Sequence, residues 1–335
     1  MLNTSTFIIL LLQASTAVAS YHSSHTTSID TSSISTVHHI LARILDWKQI
    51  KIESRDPKSK TSLPLPFISV TYAQTLDGNI ALTSEKKTSS NLKLSSKESF
   101  LLTHALRSQH DGILIGGNTL STDNPRLNNR LWSESEQNNI GEEGKMILSS
   151  TAQLRLRQPI PIILDTGLRH LMKMIESNDG IKAARSHDFI IVCCNQDAYD
   201  VYHKTTQDYC TTNDIKIELL PCAHNKSGRG LDLKDVLHQL CTKFDIQSVM
   251  VEGGASILSS FLSNHDIVDC VCITLCPRVV GGCGLNAMGS ANFSSGDKHD
   301  DSCSSNLLEF DTGTTDSSWF TLGPDCIFLA PVHDK

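Results

Sequence analysis

Aromatic residues are scarce, at 5% of 335, and basic residues are outnumbered, 29 Lys and Arg against 36 Asp and Glu for a net charge of −7. A base-stacking surface and a grip on phosphate backbones both need what is missing, so no nucleic-acid partner is expected. No stretch approaches the roughly 20 apolar residues of a membrane helix, so no membrane contact is expected of the mature chain. There is no C-x-x-C pair, which leaves a zinc or dithiol site without support. Neither G-x-G-x-x-G nor the Walker A pattern occurs, so the common Rossmann and P-loop readings fail. Cysteine is absent before Cys193, and the eleven that follow are odd in number. Several sit in apolar runs, FIIVCC and CVCITLC, which suits buried free thiols in a reducing space.

What is present is a leader followed by an alternating α/β pattern. Residues 1–19 carry an apolar FIILLL and end in Ala17-Val18-Ala19, a signal-like segment. From Ser20 to Thr36, eleven of seventeen residues are Ser or Thr and Asp30 is the only acid, so 20–65 reads as a transit-like leader and linker. Together they point to an organelle, a plastid, with secretion or the cytoplasm as alternatives. The folded domain is expected from Pro66 to the end at 335, with polar loop insertions near 132–146 and 289–318. Strands are expected at 67–73, 112–116, 160–164, 189–194, 215–220, 248–252, 270–276 and 326–330. Helices fall between them. Ser95 and Glu98 are spaced as a capping box. Asp232 precedes an apolar stripe through Leu233, Val236, Leu237, Leu240, Cys241 and Phe244, and a third helix follows Gly253-Gly254.

Two strand–Gly-Gly–helix junctions, at Gly116-Gly117 and Gly253-Gly254, each offer bare backbone amides beside a helix start, a seat for a phosphate. Two in one α/β domain point to a dinucleotide. A third pair, Gly281-Gly282, follows CVCITLC. Around these turns, ISVTYAQTLDGNIA, HALRSQHDGILIGGNTLSTDNPRLNNR, PIPIILDTGLR and VMVEGGASILSSFLSNHDIVDCVCITLCPRVVGG resemble, in order, the reductase domain of riboflavin biosynthesis. LGPDCIFLAPV resembles its final strand. The resemblance implies one dihydrofolate-reductase-like α/β domain, a mixed, mostly parallel sheet flanked by helices. It implies a homodimer, a preference for NADPH over NADH, and reduction of the ribose of a phosphoribosylamino-pyrimidine to a ribityl chain.

It also implies residue roles. Thr119, Asp123, Asp165, Thr166, Gly253, Gly254, Ala255, Ser256 and Ile257 would hold the cofactor. Thr71, Leu127, Arg130 and Glu252 would contact the substrate, Arg130 through its phosphate. Asp77, in TLDG, is either a site residue or turn chemistry. No residue is identified as proton donor or as the grip on the 2′-phosphate. The deaminase signature of many bacterial relatives, H-x-E with P-C-x-x-C, is missing: Pro221-Cys222 continues as Ala223-His224-Asn225. Where those relatives place a Lys before A-x-S-L-D-G, this chain has Thr71. A donor-only ammonium suits a ring carbonyl, whereas a hydroxyl can also accept from an amino group. The favoured substrate is therefore 2,5-diamino-6-(5-phosphoribosylamino)pyrimidin-4(3H)-one, with 5-amino-6-(5-phosphoribosylamino)uracil as the alternative. A non-catalytic nucleotide-binding relative is the rival from another class. A dihydrofolate reductase proper is disfavoured, because Trp47, Trp132 and Trp319 all lie outside the matching segments.

Overall fold

Apolar runs of five to seven residues, too short for helices and too continuous for a half-wet strand, form inner strands of a sheet covered on both faces. The computed structural model describes residues 29–54, 63–82, 94–133, 156–177, 179–228, 230–282, 284–287, 310 and 318–332. Its strands are β1 (Phe67–Thr75), β2 (Asn79–Leu82), β3 (Gly112–Gly116), β4 (Ile160–Leu164), β5 (Ile190–Cys194), β6 (Ile217–Pro221), β7 (Ser248–Glu252), β8 (Cys270–Cys276), β9 (Gly284–Asn286), β10 (Ser318–Leu322) and β11 (Asp325–Pro331). Nine of them make one sheet in the order β10-β11-β8-β1-β7-β3-β4-β5-β6. From β8 to β6 every neighbouring pair is parallel. β11 runs antiparallel to β8, and β10 antiparallel to β11. The sheet is mixed and mostly parallel, as expected. β2 and β9 pair apart from it as a small antiparallel ribbon.

The helices are α1 (Thr31–Glu53), α2 (Lys97–Gln109), α3 (Gly117–Asp123), α4 (Arg169–Glu176), α5 (Lys182–Ser186), α6 (Gln196–Asn213), α7 (Leu233–Phe244) and α8 (Ala255–Ser263). On one face α7 and α8 bury Val236, Leu237, Leu240, Leu258 and Phe261 against Ile68, Val70, Leu114 and Val251. On the other, α4, α5 and α6 cover Ile113, Ile115, Ile163 and Val192, while α1 and α2 cover Phe67, Met250, Cys270 and Cys272. Asp232 caps α7 as expected, accepting the Lys234 and Asp235 amides. The cap of α2 lies one residue later than the Ser95–Glu98 spacing suggested: Ser96 accepts the Ser99 amide and donates its own to Asp325.

One expectation is corrected. The leader and linker assigned to 20–65 contains a 23-residue helix that belongs to the packed body. Asp30 caps α1 by accepting the Ser33 amide at 2.7 Å. Ile34, Val37, Ile40, Leu41 and Ile44 then recur at three- and four-residue spacing and are all buried. Lys48 donates to the Ser248 hydroxyl and Lys51 to the Asp269 carboxylate, tying α1 to the starts of β7 and β8. Because α1 covers α2, that helix is buried almost all round, its polar residues Glu98, His104, Arg107 and Gln109 included. Residues 1–28, almost all of 132–146 and nearly all of 289–318 lie outside the described residues.

Candidate functional site

A cavity of about 460 Å³ opens outside the carboxyl ends of the central strands. That is where ligands sit in open α/β sheets. β1 contributes Thr71, Tyr72 and Ala73, β7 contributes Glu252, and β8 contributes Thr274. The ribbon supplies Ile80, Ala81, Leu82 and Leu285, and α2 supplies Phe100, Thr103 and Arg107. The remaining wall is Asn118, Thr119, Thr122 and Asp123 of α3 facing Gly253, Gly254, Ala255 and Leu258 of the β7–α8 junction.

The glycine turn at this junction has the backbone a phosphate seat requires. Gly253 and Gly254 have φ of +33° and +93°, which side-chain-bearing residues rarely adopt. A Cβ on Gly254 would stand 2.8 Å from the Thr119 hydroxyl, closing the gap between the two walls. No side chain caps α8, which leaves its first amides available to a ligand beside Gly254. The residues present therefore fit a dinucleotide, with its pyrophosphate at Gly253-Gly254-Ala255 and with Thr119 and Asp123 opposite. Ser256 is exposed one residue into α8 and does not line the cavity.

Three residues expected to hold the cofactor and one expected to contact the substrate have side chains placed away from the cavity wall. Ile257 packs beneath β3, where its side chain would meet a Cβ on Gly116 at 2.8 Å. Asp165 is buried and accepts the His170 and Leu171 amides, capping α4. Thr166 accepts the Asn195 amide through its carbonyl, and neither it nor Asp165 lines the cavity. The Leu127 side chain is buried in the α4–α6 core, at a φ of +57°. Asp77 also stays out of the cavity. Its carboxylate accepts the Thr75 hydroxyl at 2.5 Å and the Val280 and Gly281 amides at 3.2 and 2.7 Å, joining two turns. The Thr75 hydroxyl first, and then the Gly281 amide, hold it down to about 2.

Thr71, Glu252 and Arg130 carry more of the expected character. The Thr71 hydroxyl oxygen is buried, lines the cavity and has no hydrogen-bond partner among the described residues. Glu252 meets a residue the sequence did not reveal: Arg107 donates from Nε at 2.8 Å and from Nη2 at 2.7 Å, one bond to each carboxylate oxygen. The two side chains are only 9% and 17% exposed. Burial opposes the Arg107 charge, but the Glu252 carboxylate outweighs it and holds the guanidinium above its ordinary value. Arg130 does not line the cavity itself, but its guanidinium is 5.7 Å from the centre of the cavity-lining Phe100 ring. Burial, then the like charges of Arg107 and Arg126, lower its proton affinity, and so many cations in one corner favour an anion there.

A cleft over a mostly parallel sheet, with a positive-φ glycine turn on one wall and a carboxylate–guanidinium pair on its floor, defines an α/β protein with a site for a polar small molecule. The chain belongs to the RibD C-terminal domain family, whose model matches residues 66–326. The 2,5-diamino-6-ribosylamino-4(3H)-pyrimidinone 5′-phosphate reductase of Debaryomyces hansenii is 30% identical over 227 residues, covering 68% of this chain and 81% of the relative. The Schizosaccharomyces pombe protein of the same name is 28% identical over 274 residues, 78% of this chain and 86% of the relative. In fold, the chain is similar to the Saccharomyces cerevisiae riboflavin biosynthesis reductase Rib7, with a TM-score of 0.54 and 22% identity over 88% of this chain and 99% of that one.

Proposed function

We propose that this chain is the NADPH-dependent reductase of riboflavin biosynthesis that converts the ribosyl group of 2,5-diamino-6-(5-phosphoribosylamino)pyrimidin-4(3H)-one to the ribityl form. The observation that carries the reading is the convergence of Thr71, Glu252, Gly253, Gly254, Thr119 and Asp123 on one cavity from two strands, the turn that follows β7, and α3. When bound, the nicotinamide supplies a hydride to C1 of the ring-opened, imine-form ribose, and a proton at the nitrogen completes the ribityl chain. The chain's own residues position and exclude. The α8 N-terminus and its glycine turn bind the pyrophosphate, while Thr119 and Asp123 bond the cofactor's polar groups. Ile80, Phe100 and Leu258 keep water from the reacting atoms. Arg130 takes the substrate phosphate.

One feature of the floor supports the diaminopyrimidinone over the uracil. The acceptor-only Glu252 carboxylate suits the ring N–H donors that both compounds carry, whereas the Thr71 hydroxyl can accept from the second-position amino group that only the diaminopyrimidinone has. Steady-state kinetics with both compounds and with NADPH and NADH tests the reading. A higher kcat/KM for the diaminopyrimidinone with NADPH is expected, and a preference for the uracil or for NADH would overturn that part of it. The same reading includes a homodimer. The apolar β8 offers no surface for it, being paired on both sides within the chain by β1 and β11. The remaining support is the edge strand β10, where Trp319 is 44% exposed. Import into a plastid would use a cleavable leader ending before Asp30, because α1 belongs to the folded body.

A further inference from the structure

We infer that Phe100 is a positioning residue for the substrate's phosphate, its ring serving as the shelf on which the Arg130 guanidinium is held. The inference rests on the reductase reading of this cavity. Phe100 lines the cavity while Arg130 does not, so the ring is the part of this corner that borders the ligand's space. The guanidinium lies 5.7 Å from the ring centre, within the range of a cation–π contact. The His104 ring meets Phe100 at 4.9 Å and 83°, an edge-to-face contact that fixes the plane of the shelf. The two are four residues apart on α2, the spacing of neighbours on one helix face.

Arg130 needs such a support because little else holds its charged end. Its guanidinium makes one hydrogen bond among the described residues, to the Asn128 side-chain oxygen at 3.3 Å. Its backbone is pinned separately, the Arg130 amide donating to His104 Nδ1 at 3.1 Å. Burial first, and then the charges of Arg107 and Arg130, hold His104 down to about 3, so that ring stays neutral and able to accept. Arg107 commits its own guanidinium to Glu252 and to the Asn128 carbonyl. Arg130 therefore carries the uncommitted donors of this corner. An aromatic ring attracts the cation but offers no lone pair, which leaves the N–H fork for a multidentate acceptor such as phosphate. Held on the shelf, the charge stands at one distance from the Glu252 floor. The site thereby selects the phosphorylated compound over the same compound without its phosphate.

Phe100→Leu keeps the wall apolar and removes the ring. It should raise the KM for the diaminopyrimidinone roughly fivefold, the scale of a partly exposed guanidinium–ring contact. Its kcat should stay within about twofold of wild type, as should NADPH affinity read by cofactor fluorescence. The kcat/KM advantage of the phosphorylated compound over its dephosphorylated form should shrink by about the same fivefold. Phe100→Tyr retains the ring and should keep the wild-type KM within about twofold. In an Arg130→Ala background, Phe100→Leu should add less than about twofold, because the shelf then has nothing to hold. Phe100→Met is the second ringless variant if the leucine protein does not fold. An unchanged advantage for the phosphorylated compound in a folded ringless variant would overturn the inference. Equal losses for both compounds would overturn it too, since they mean a general wall, as would an undiminished loss in the Arg130→Ala background. A wild-type protein that oxidises NADPH with neither pyrimidine overturns the functional reading itself, and this inference with it.

Discussion

Gly116-Gly117 and Gly253-Gly254 are the same dipeptide in the same setting, the junction of a buried parallel strand and a helix, yet they do opposite things. The first is sealed. Ile257 fills the space over Gly116, and a Cβ on Gly117 would lie 2.9 Å from the Asp165 carboxyl carbon and 3.0 Å from the His170 ring. Its backbone is ordinary, with Gly116 at a φ of −85°. The second is open. Gly253 and Gly254 take positive φ, and both line the cavity. A double glycine after a strand therefore signals close approach, and what approaches is either the protein's own side chains or a ligand. Backbone conformation and neighbours decide which.

Substitution should separate the two turns by what is lost. Gly254→Ala should weaken NADPH binding by roughly 10- to 100-fold, from about 1–3 kcal/mol of backbone strain and from narrowing the gap to Thr119. Titration of cofactor fluorescence checks this, and unchanged affinity in a folded variant would mean that the pyrophosphate does not lie at this turn. Gly117→Ala should instead destabilise the fold, by about 1–3 kcal/mol of overpacking against Asp165 and His170. Chemical denaturation reads that loss, and NADPH affinity of the folded fraction should change by less than about threefold. If the two variants exchanged phenotypes, the contrast drawn between the turns would be wrong.

How far the sequence reveals these differences depends on the range of the forces involved. The sheet is legible because parallel strands buried on both faces leave uninterrupted apolar runs such as GILIG and IIVCC. The cavity's glycine turn, Glu252, Thr71, Thr119 and Asp123 are legible through the family resemblance, because each sits in a short local motif. α1 is hidden by composition: the Ser- and Thr-rich stretch runs into its first turn, and the stripe Ile34, Val37, Leu41, Ile44 is readable only by its period. Arg107 is hidden for a different reason. A lone arginine between Leu106 and Ser108 reads as a solvated surface charge, and its burial depends on a carboxylate 145 residues away. The side chains of Leu127 and Asp165 turn inward, which their short motifs do not reveal.

The third double glycine, Gly281-Gly282, sharpens the contrast by being neither sealed nor open to the cavity. A Cβ at either position meets nothing within 4 Å. What holds this turn is Asp77, which accepts the Gly281 amide and so anchors the β8–β9 connection to the β1–β2 turn. Those two turns lead into the ribbon whose Ile80 and Leu285 wall the cavity. Because the folded-state pKa of Asp77 is lowered to about 2, its contribution is present above the ordinary carboxylate range and is lost as pH falls from about 4 through about 2. Asp77→Ala should therefore flatten the acid limb of Tm against pH in that window. The carboxylate is fully exposed, so the effect at neutral pH should be small, on the order of a twofold rise in substrate KM as the ribbon loosens. A loss of turnover by two orders of magnitude with KM unchanged would instead make Asp77 a participant in the chemistry, and the turn would no longer be the reason for TLDG in this chain.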